Sequence, residues 1–371
     1  MLGMMVVISA ADFLTMYLGI ELMSFPLYAL VALKRNDSKA VEAATKFFIL
    51  GALGSGLLLY GATGSLDFIE VARISAYSGI SRTILVFGIV FVVAGIAFKL
   101  GAVPFHMWVP DVFEGAPTAV TLLIAGAPKL AGFAICLRIL VEALLPLAFD
   151  WQQMLMIIAI LSMALGNVAA IMQKNIKRML AYSTIAQMGY MLLGMLAGVR
   201  EGTRVIASTF AYSSAMYYTI VYVLATLGAF GVILMMSGKG LEADRLDDFR
   251  GLNRRNPWYA LIMLVCMFSF AGVPPLVGFF GKFAVFQALV DAGLIWLAIV
   301  GIVFAVIGAF YYLRVVKFMY FDEPADERKI SVPLDMSVAL GVNGLLIIVL
   351  GILPGSLLDW CVFAINSAFL L

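Results

Sequence analysis

Four ionisable side chains fall near the centres of apolar segments: Glu21, Lys99, Lys129 and Lys282. If these segments lie in lipid, each charge costs roughly 2.5–3.5 kcal/mol at a helix centre, or about 10–14 kcal/mol for the four together. That sum is comparable to the whole stability of a typical fold, about 5–15 kcal/mol. Such residues persist where they face a helix bundle, pair with each other or contact water. Intramembrane Lys and Glu therefore indicate an ion or proton pathway.

The composition supports placing these segments in a membrane. Of the 371 residues, 64% are hydrophobic and only 12% are charged, and the mean hydropathy is +1.06. A soluble domain is about 45–50% apolar and about 25% charged. We therefore predict an all-α polytopic membrane protein surrounded by the lipid bilayer. The net charge is only +2 and the basic residues are spread over separate short loops, so we predict no nucleic-acid or acidic partner.

The sequence contains few residues that could bind a redox cofactor. The single histidine, His106, excludes a bis-histidine haem within the chain, and the three cysteines are far apart, without metal or disulfide spacing. The sequence contains no Walker loop and no strand–GxGxxG–helix unit. Any redox cofactor is therefore expected on other chains.

Apolar runs bounded by charges or by Gly/Pro clusters predict about eleven helices, ten or eleven of them transmembrane. Their expected bounds are about 1–10, 12–33, 42–62, 82–103, 118–141, 151–172, 179–198, 207–237, 258–290 and 294–316, with a last helix that begins near 333 and breaks at Pro354-Gly355. Met1 opens directly into an apolar run without a charged n-region, so the sequence predicts no signal peptide and a start inside a helix.

The loops predict an orientation. Fourteen basic residues fall on one side: Lys34, Arg35, Lys39, Lys174, Lys177, Arg178, Lys239, Arg245, Arg250, Arg254, Arg255, Lys317, Arg328 and Lys329. Four fall on the other: Arg73, Arg82, Arg200 and Arg204. The positive-inside rule places the first side in the cytoplasm.

Two similar segments suggest an internal repeat. The fourth predicted helix ends in FKLGAVP (98–104), and the ninth contains GVPPLVGFFGK (272–282). Both carry a lysine beside a Gly/Pro interruption, and five helices separate them. Because five is odd, the second copy would enter the membrane inverted, and paired interrupted helices in inverted repeats point to a transport site. We predict a first repeat at 1–145, an inverted repeat at 150–320 and a C-terminal helix at 333–371.

Each charged residue also has a structural explanation. Glu21 could form an ion pair that locks two helices, with Lys99 as the obvious candidate partner. Lys129 follows a proline that frees a backbone carbonyl, and Lys282 could stabilise the interrupted segment of its helix. His106 can relay protons near neutral pH, and a capping or packing role is equally consistent with the sequence.

Hydroxyl groups are concentrated on two predicted helices and could line a hydrated half-channel. Interhelical hydrogen bonding together with an aromatic belt is the simpler explanation for any single one of them. They are Tyr182, Ser183, Thr184 and Tyr190 on the seventh helix, where the Gln187 amide accompanies them, and Ser208, Tyr212, Ser213, Ser214, Tyr217, Tyr218, Thr219 and Tyr222 on the eighth.

Four runs carry a resemblance to a known family: GIELMSFPLY (19–28), FKLGAVPFHMWVPDVFEGAP (98–117), AYSTIAQMGY (181–190) and GVPPLVGFFGKF (272–283). They resemble subunit N of the proton-pumping NADH:quinone oxidoreductase, respiratory complex I, over essentially the whole chain. The resemblance implies an antiporter-like membrane subunit of a bacterial inner membrane, whose partners are the other membrane-arm subunits. NADH, flavin, iron-sulfur clusters and quinone are then expected on partner chains, with none in this one.

The resemblance also assigns roles. It matches the family's proton-path glutamate to Glu21 and its lysines to Lys99, Lys129 and Lys282. Two departures stand out: the family usually has about fourteen helices, so the first three and part of the fourth are expected to be missing, and the third helix here looks shortened near Gly61-Ala62-Thr63-Gly64.

These roles combine into a mechanistic hypothesis. Burial of a lysine favours loss of its proton, whereas a nearby carboxylate favours the ammonium. Glu21 near Lys99 would hold a proton, their separation would let Lys99 pass it to Lys129, and Lys282 would serve the exit side. Two alternatives stay open: a subunit of a multi-subunit cation/proton antiporter, and a purely structural subunit with static charge pairs.

Overall fold

The computed structural model describes residues 1–33, 38–42, 44–45, 65–76, 82–200, 206–237, 242–324 and 333–369. Over these residues the chain is a bundle of helices, so the prediction of an all-α polytopic protein is confirmed. The α-helices are α1 (Leu2–Ser9), α2 (Phe13–Val31), α3 (Phe68–Ser75), α4 (Arg82–Leu100), α5 (Trp108–Gly115), α6 (Thr118–Ala125), α7 (Ala127–Cys136), α8 (Ala148–Ile171), α9 (Ile176–Leu196), α10 (Thr209–Met236), α11 (Leu252–Arg255), α12 (Pro257–Ala271), α13 (Val277–Asp291), α14 (Ile295–Tyr320), α15 (Leu334–Ile352) and α16 (Pro354–Phe369).

Shorter elements connect them. A π-helical stretch continues α7 over Leu137–Ala143, and single 3-10 turns cover Leu145–Leu147 and Leu246–Phe249. A two-residue antiparallel ribbon, β1 (Val199–Arg200) with β2 (Ile206–Ala207), joins α9 to α10.

The membrane spans agree with the predicted order. Within the described ranges, eight helical segments are long and apolar enough to cross a membrane. Of the remaining predicted helices, the first is only eight residues long. The third, predicted at about 42–62, falls mostly outside the described residues. The ninth is divided into α12 and α13, each of 15 residues. The division into repeats at 1–145 and 150–320 stays a prediction.

Polar side chains fix where several helices begin. Asp12 accepts hydrogen bonds from the backbone N–H and the hydroxyl of Thr15, both at 2.7 Å, at the start of α2. These bonds, led by that of the Thr15 N–H, hold the pKa of Asp12 below its usual value. Asn175 and Asn256 cap α9 and α12 in the same way, which satisfies N–H groups that a helix start leaves unpaired.

Small residues let α8 and α9 pack backbone to backbone. A Cβ placed on Gly166 of α8 would lie 2.7 Å from both the Ala186 nitrogen and the Tyr182 oxygen of α9. A Cβ on Gly189 of α9 would lie 2.9 Å from the Ala159 oxygen of α8. Glycine is therefore required at both positions, as is usual where membrane helices approach closely.

Glycine ends or interrupts two of the predicted helices within their expected bounds. The fifth predicted helix, at about 118–141, is interrupted at Gly126, which separates α6 from α7. The fourth, at about 82–103, ends earlier, at Leu100. In both places glycine or proline follows within two residues in the sequence, and these residue types favour helix ends.

Candidate functional site

The two interruptions predicted from sequence are present, and both are built in the same way. Gly101 (φ 77°) follows α4 and Gly272 (φ 84°) follows α12, in the left-handed region that favours glycine. The residue after each glycine donates a Schellman-type hydrogen bond to the carbonyl five positions earlier. Ala102 N–H donates to the Ala97 oxygen, and Val273 N–H donates to the Phe268 oxygen. A cis proline lies three residues after each glycine, at Pro104 and Pro275.

Such interruptions expose polar backbone at membrane depth. The last carbonyl groups of a helix have no partner within that helix, and its C-terminal end carries a partial negative charge. In lipid these groups need another donor. At the first interruption, the Trp108 indole N–H donates to the Phe98 oxygen at 3.0 Å.

Lys129 supplies the next donor. Its ammonium, from the first turn of α7, donates to the oxygen of Leu100, the last residue of α4, at 2.9 Å. The ammonium also lies 5.4 Å from the centre of the Trp108 ring. Lys129 is only 1% exposed, and no carboxylate among the described residues forms an ion pair with it. A cation is thus held by a carbonyl dipole and an aromatic face.

Lys282 stands in the same relation to the second interruption. From α13 it donates to the oxygens of Phe270 and Ala271, the last residues of α12, at 2.8 and 3.1 Å. Its ammonium lies 4.9 Å from the centre of the Tyr190 ring. Lys282 is 6% exposed, and the part of the chain that the structure describes gives it no carboxylate partner either.

Lys99 has a different environment. It donates to the Ser24 hydroxyl at 2.7 Å, and that hydroxyl donates in turn to the Ile20 oxygen of its own helix, α2, at 2.7 Å. Glu21 acts on Lys99 electrostatically, although the two side chains, both described, form no direct ion pair. The predicted Glu21–Lys99 partnership is therefore one of charges on neighbouring helices, with Ser24 as the direct contact.

The two interrupted helices do not correspond lysine for lysine. Lys99 comes two residues before Gly101, where the second interruption has Phe270 two residues before Gly272. Lys129, from α7, is instead the structural counterpart of Lys282, because each lysine binds carbonyls at the end of an interrupted helix, α4 for Lys129 and α12 for Lys282. Sequence comparison of the two motifs missed this equivalence, since Lys129 lies outside the repeated run.

His106 lies in the segment between α4 and α5, two residues after the cis proline. Its Nδ1 atom is buried without a hydrogen-bond partner in the structure. A relay role needs a second proton-carrying group within reach, and the described residues provide none at this nitrogen. His106 as a relay stays a prediction.

Two of the hydroxyls noted in the sequence, those of Ser183 and Tyr218, belong to a hydrogen-bonded group that shares an acceptor with Lys282. We call Ser183, Gln187, Tyr218 and Tyr312 the Gln187 network. In it, Tyr312 bonds to Ser183 at 2.5 Å and receives a hydrogen bond from the Gln187 amide at 2.8 Å, while Tyr218 donates to the Gln187 oxygen. The Gln187 amide also donates to the Phe270 oxygen at 3.3 Å, so Gln187 and Lys282 share one acceptor.

A charged cluster lies where α5 meets α9. Arg178 bonds to both Asp111 and Glu114 at 2.9 Å, and Lys39 bonds to Glu114 at 2.9 Å. Beside it, Lys177 donates to the Ala116 oxygen at 2.9 Å and to Glu242 at 2.7 Å. From the sequence, Lys39, Lys177 and Arg178 are recognisable only as loop charges, because their partners are 60 or more positions away.

We expect Glu242→Ala to lower the free energy of unfolding by about 1–2 kcal/mol. The side chain of Lys177 is 0% exposed, and the change leaves its charge buried with only a carbonyl. Breaking a fully buried pair costs about 3–5 kcal/mol, and the 25% exposure of Glu242 reduces that figure. The midpoint of thermal unfolding of the purified protein assembly measures it, with Glu70→Ala of the exposed Glu70–Arg73 pair as the matched control. Equal midpoints for both variants would contradict the expectation.

A metal centre finds no support in the residues described. No group of three or more His, Cys, Asp or Glu side chains among them could hold a metal ion. Cys136, Cys266 and Cys361 are buried free thiols.

Comparison with known proteins decides the family. The family model described as NADH:quinone oxidoreductase/Mrp antiporter, transmembrane, matches residues 10–308. A curated relative from Herminiimonas arsenicoxydans, "NADH-quinone oxidoreductase subunit N", is 60% identical over 370 residues, which cover 98% of this chain and 75% of the relative. The chain belongs to the NADH-quinone oxidoreductase subunit N family. A second member, from Thioalkalivibrio sulfidiphilus (strain HL-EbGR7), is 57% identical over 98% of this chain and 76% of its own length.

Solved structures share the fold of this subunit N family member. A chain of respiratory complex I from Thermus thermophilus is 33% identical with a TM-score of 0.81, over 96% of this chain and 77% of that one. A chain of the Mrp complex from Dietzia sp. DQ12-45-1b has a TM-score of 0.86 at 20% identity, over 98% and 76% of the two chains. At that identity the Mrp likeness shows the fold alone.

Proposed function

We propose that this chain is the antiporter-like subunit N of a bacterial proton-pumping NADH:quinone oxidoreductase, and that protons cross it by way of Glu21, Lys99, Lys129 and Lys282. The observation that carries the proposal is the placement of Lys129 and Lys282. Each is a buried lysine without a described carboxylate partner, bound to carbonyls at an interruption of a membrane helix. Intramembrane ionisable groups at such interruptions are typical of transport sites.

The environments of the lysines suit a transfer of protons. Carbonyl groups and aromatic rings stabilise an ammonium only moderately, so the lysine can still release its proton. A carboxylate would favour the charged form strongly. Lys99 is the member of the set on which Glu21 acts, which fits a proton-holding position ahead of Lys129. Moving one charge against 100 mV costs about 2.3 kcal/mol. A change in the surroundings of a buried lysine can alter the free energy of its protonation by a comparable amount.

The proposal extends to the surroundings of the chain. The partners are the other membrane-arm subunits, including further antiporter-like ones. NADH, flavin, iron-sulfur clusters and quinone belong to partner subunits. The chain spans the inner membrane of a bacterium, and the side rich in Lys and Arg faces the cytoplasm.

We expect Lys99→Met to lower NADH-driven proton transport by about tenfold. This loss is smaller than the 10²–10⁴-fold that a positioned proton-transfer group typically contributes, because the Ser24 hydroxyl that Lys99 contacts remains in place. The measurement is acidification of inverted membrane vesicles on adding NADH, normalised to assembled complex. Lys317→Met is the matched control, because Lys317 is 68% exposed and its nearest carboxylate, on Asp322, is 4.0 Å away.

The same vesicles separate the alternatives. Unchanged transport in Lys99→Met would favour the purely structural subunit with static charges. Sodium-dependent pH changes without NADH would favour the cation/proton antiporter. Loss in Lys99→Met with normal transport in Lys317→Met supports the proposal.

A further inference from the structure

A small cavity lies beside the second interruption, in contact with the Gln187 network. Its volume is about 10 Å³, close to the space that one water molecule needs. Its polar walls come from three helices: Gln187 of α9, Tyr218 and Tyr222 of α10, and Ser269 of α12. Apolar groups line the remainder, among them Ala225.

The Ser269 hydroxyl on this wall has no hydrogen-bond partner in the structure, although the residue is only 3% exposed. Two buried hydroxyls of α10 show the usual local solution, since Ser214 donates to the Phe210 oxygen at 2.8 Å and Thr219 to the Ala215 oxygen at 2.7 Å. Ser269 makes no such bond. A buried polar group of this kind requires a partner that the protein itself does not supply.

The opposite walls offer acceptors. Tyr222 uses its proton to bond Thr184 at 2.8 Å, and Tyr218 uses its proton to bond Gln187. A phenol that donates keeps its oxygen lone pairs, and the Gln187 oxygen keeps a second lone pair. A water in the cavity therefore meets one free hydroxyl and several acceptors, within the two to four polar partners that buried waters have.

We propose that one water molecule binds in this cavity, held by Ser269 and by the oxygens of Tyr222 and the Tyr218–Gln187 pair. Through Gln187, which shares the Phe270 oxygen with Lys282, this water fixes the hydrogen bonding around the Lys282 ammonium. Ser269 is thus a positioning residue for Lys282. The second part of the proposal rests on the proposed function, and the binding of the water does not.

The first test is direct and needs no variant. In an electron cryomicroscopy map of the assembled complex, at a resolution that shows ordered waters elsewhere in the membrane arm, we expect one water density between Ser269 and Tyr222. Ala225→Val should remove that density by filling the cavity from its apolar wall. An empty cavity in the unmodified complex overturns the proposal.

The second test addresses the role of the water. Ser269→Ala should lower NADH-driven proton transport per assembled complex by about fivefold, the effect of losing one hydrogen bond of roughly 1 kcal/mol. Ala225→Val should have a similar effect, although it changes no polar group. Ser214→Ala is the control, because its hydroxyl only bonds its own helix, and its transport should be unchanged.

The outcomes distinguish a failure of the proposed function from a failure of the water site or of its positioning role. If both variants lose the water and keep full transport while Lys99→Met loses transport, the positioning role is overturned and the proposed function stands. If Lys99→Met keeps full transport while the water density is present, the proposed function fails and the water site stands. If all three lose transport and the Ser214 variant does not, both are supported.

Discussion

Lys129→Met should reduce NADH-driven proton transport on the order of 100-fold, within the range for loss of a positioned proton-transfer group. Methionine keeps most of the length and the apolar character of the lysine stem, and it removes the charge that burial disfavours. The helix bundle should therefore assemble, while the Leu100 oxygen loses its ammonium donor. The measurement is acidification of inverted vesicles, divided by the amount of assembled complex.

The matched control for Lys129→Met is Arg138→Met in the π-helical stretch that continues the same helix. Arg138 carries the same charge, is paired with Glu142 at 3.1 Å and is 31% exposed. It should retain transport. Lys282→Met should resemble Lys129→Met, because the two lysines bind corresponding carbonyls. Normal transport in Lys129→Met would make its ammonium a static helix cap and would remove it from the proton path.

Gly166→Leu should destabilise the bundle by about 3 kcal/mol or more, the upper part of the range for overpacking. A Cβ at this position would lie 2.7 Å from backbone atoms of α9, which cannot turn aside as a flexible side chain could. Helices α8 and α9 would have to separate. The readout is the amount of assembled complex in membranes and its midpoint of thermal unfolding.

The control for this change is Gly355→Leu in α16. A Cβ on Gly355 would find its nearest heavy atom, on the Asp359 side chain, at 3.9 Å, which is ordinary contact. The same residue type is thereby introduced into a helix with open space around it. Equal losses for the two variants would show that leucine harms the protein for reasons other than the α8–α9 contact.

The sequence predicted the parts of this protein that local chemistry determines. The Gly/Pro clusters at 101–104 and 272–275 located both interruptions, and glycine suits these positions because it adopts the left-handed conformation that other residues avoid. Charges inside apolar runs located Glu21, Lys99, Lys129 and Lys282. The order of the helices followed from the spacing of apolar segments.

The side-chain partners could not be predicted in the same way. Ser24 as the acceptor for Lys99 and Leu100 as the acceptor for Lys129 depend on how each helix is rotated in the bundle. These helices are apolar on nearly all sides, so periodicity does not reveal their rotation. The unpaired Ser269 hydroxyl gives no signal in sequence at all, because a serine near a helix end usually satisfies itself locally.

The lysine–carbonyl contacts couple the protonation state of a side chain to the stability of a helix end. An ammonium donates a stronger hydrogen bond than a neutral amine does, so the ends of α4 and α12 are fastened more firmly when Lys129 and Lys282 carry their protons. In the proposed pathway, loss of a proton from either lysine should loosen the adjacent helix terminus. The exchange rate of backbone amide hydrogens near Gly101 and Gly272, measured during turnover, would then show which of the two lysines lacks its proton.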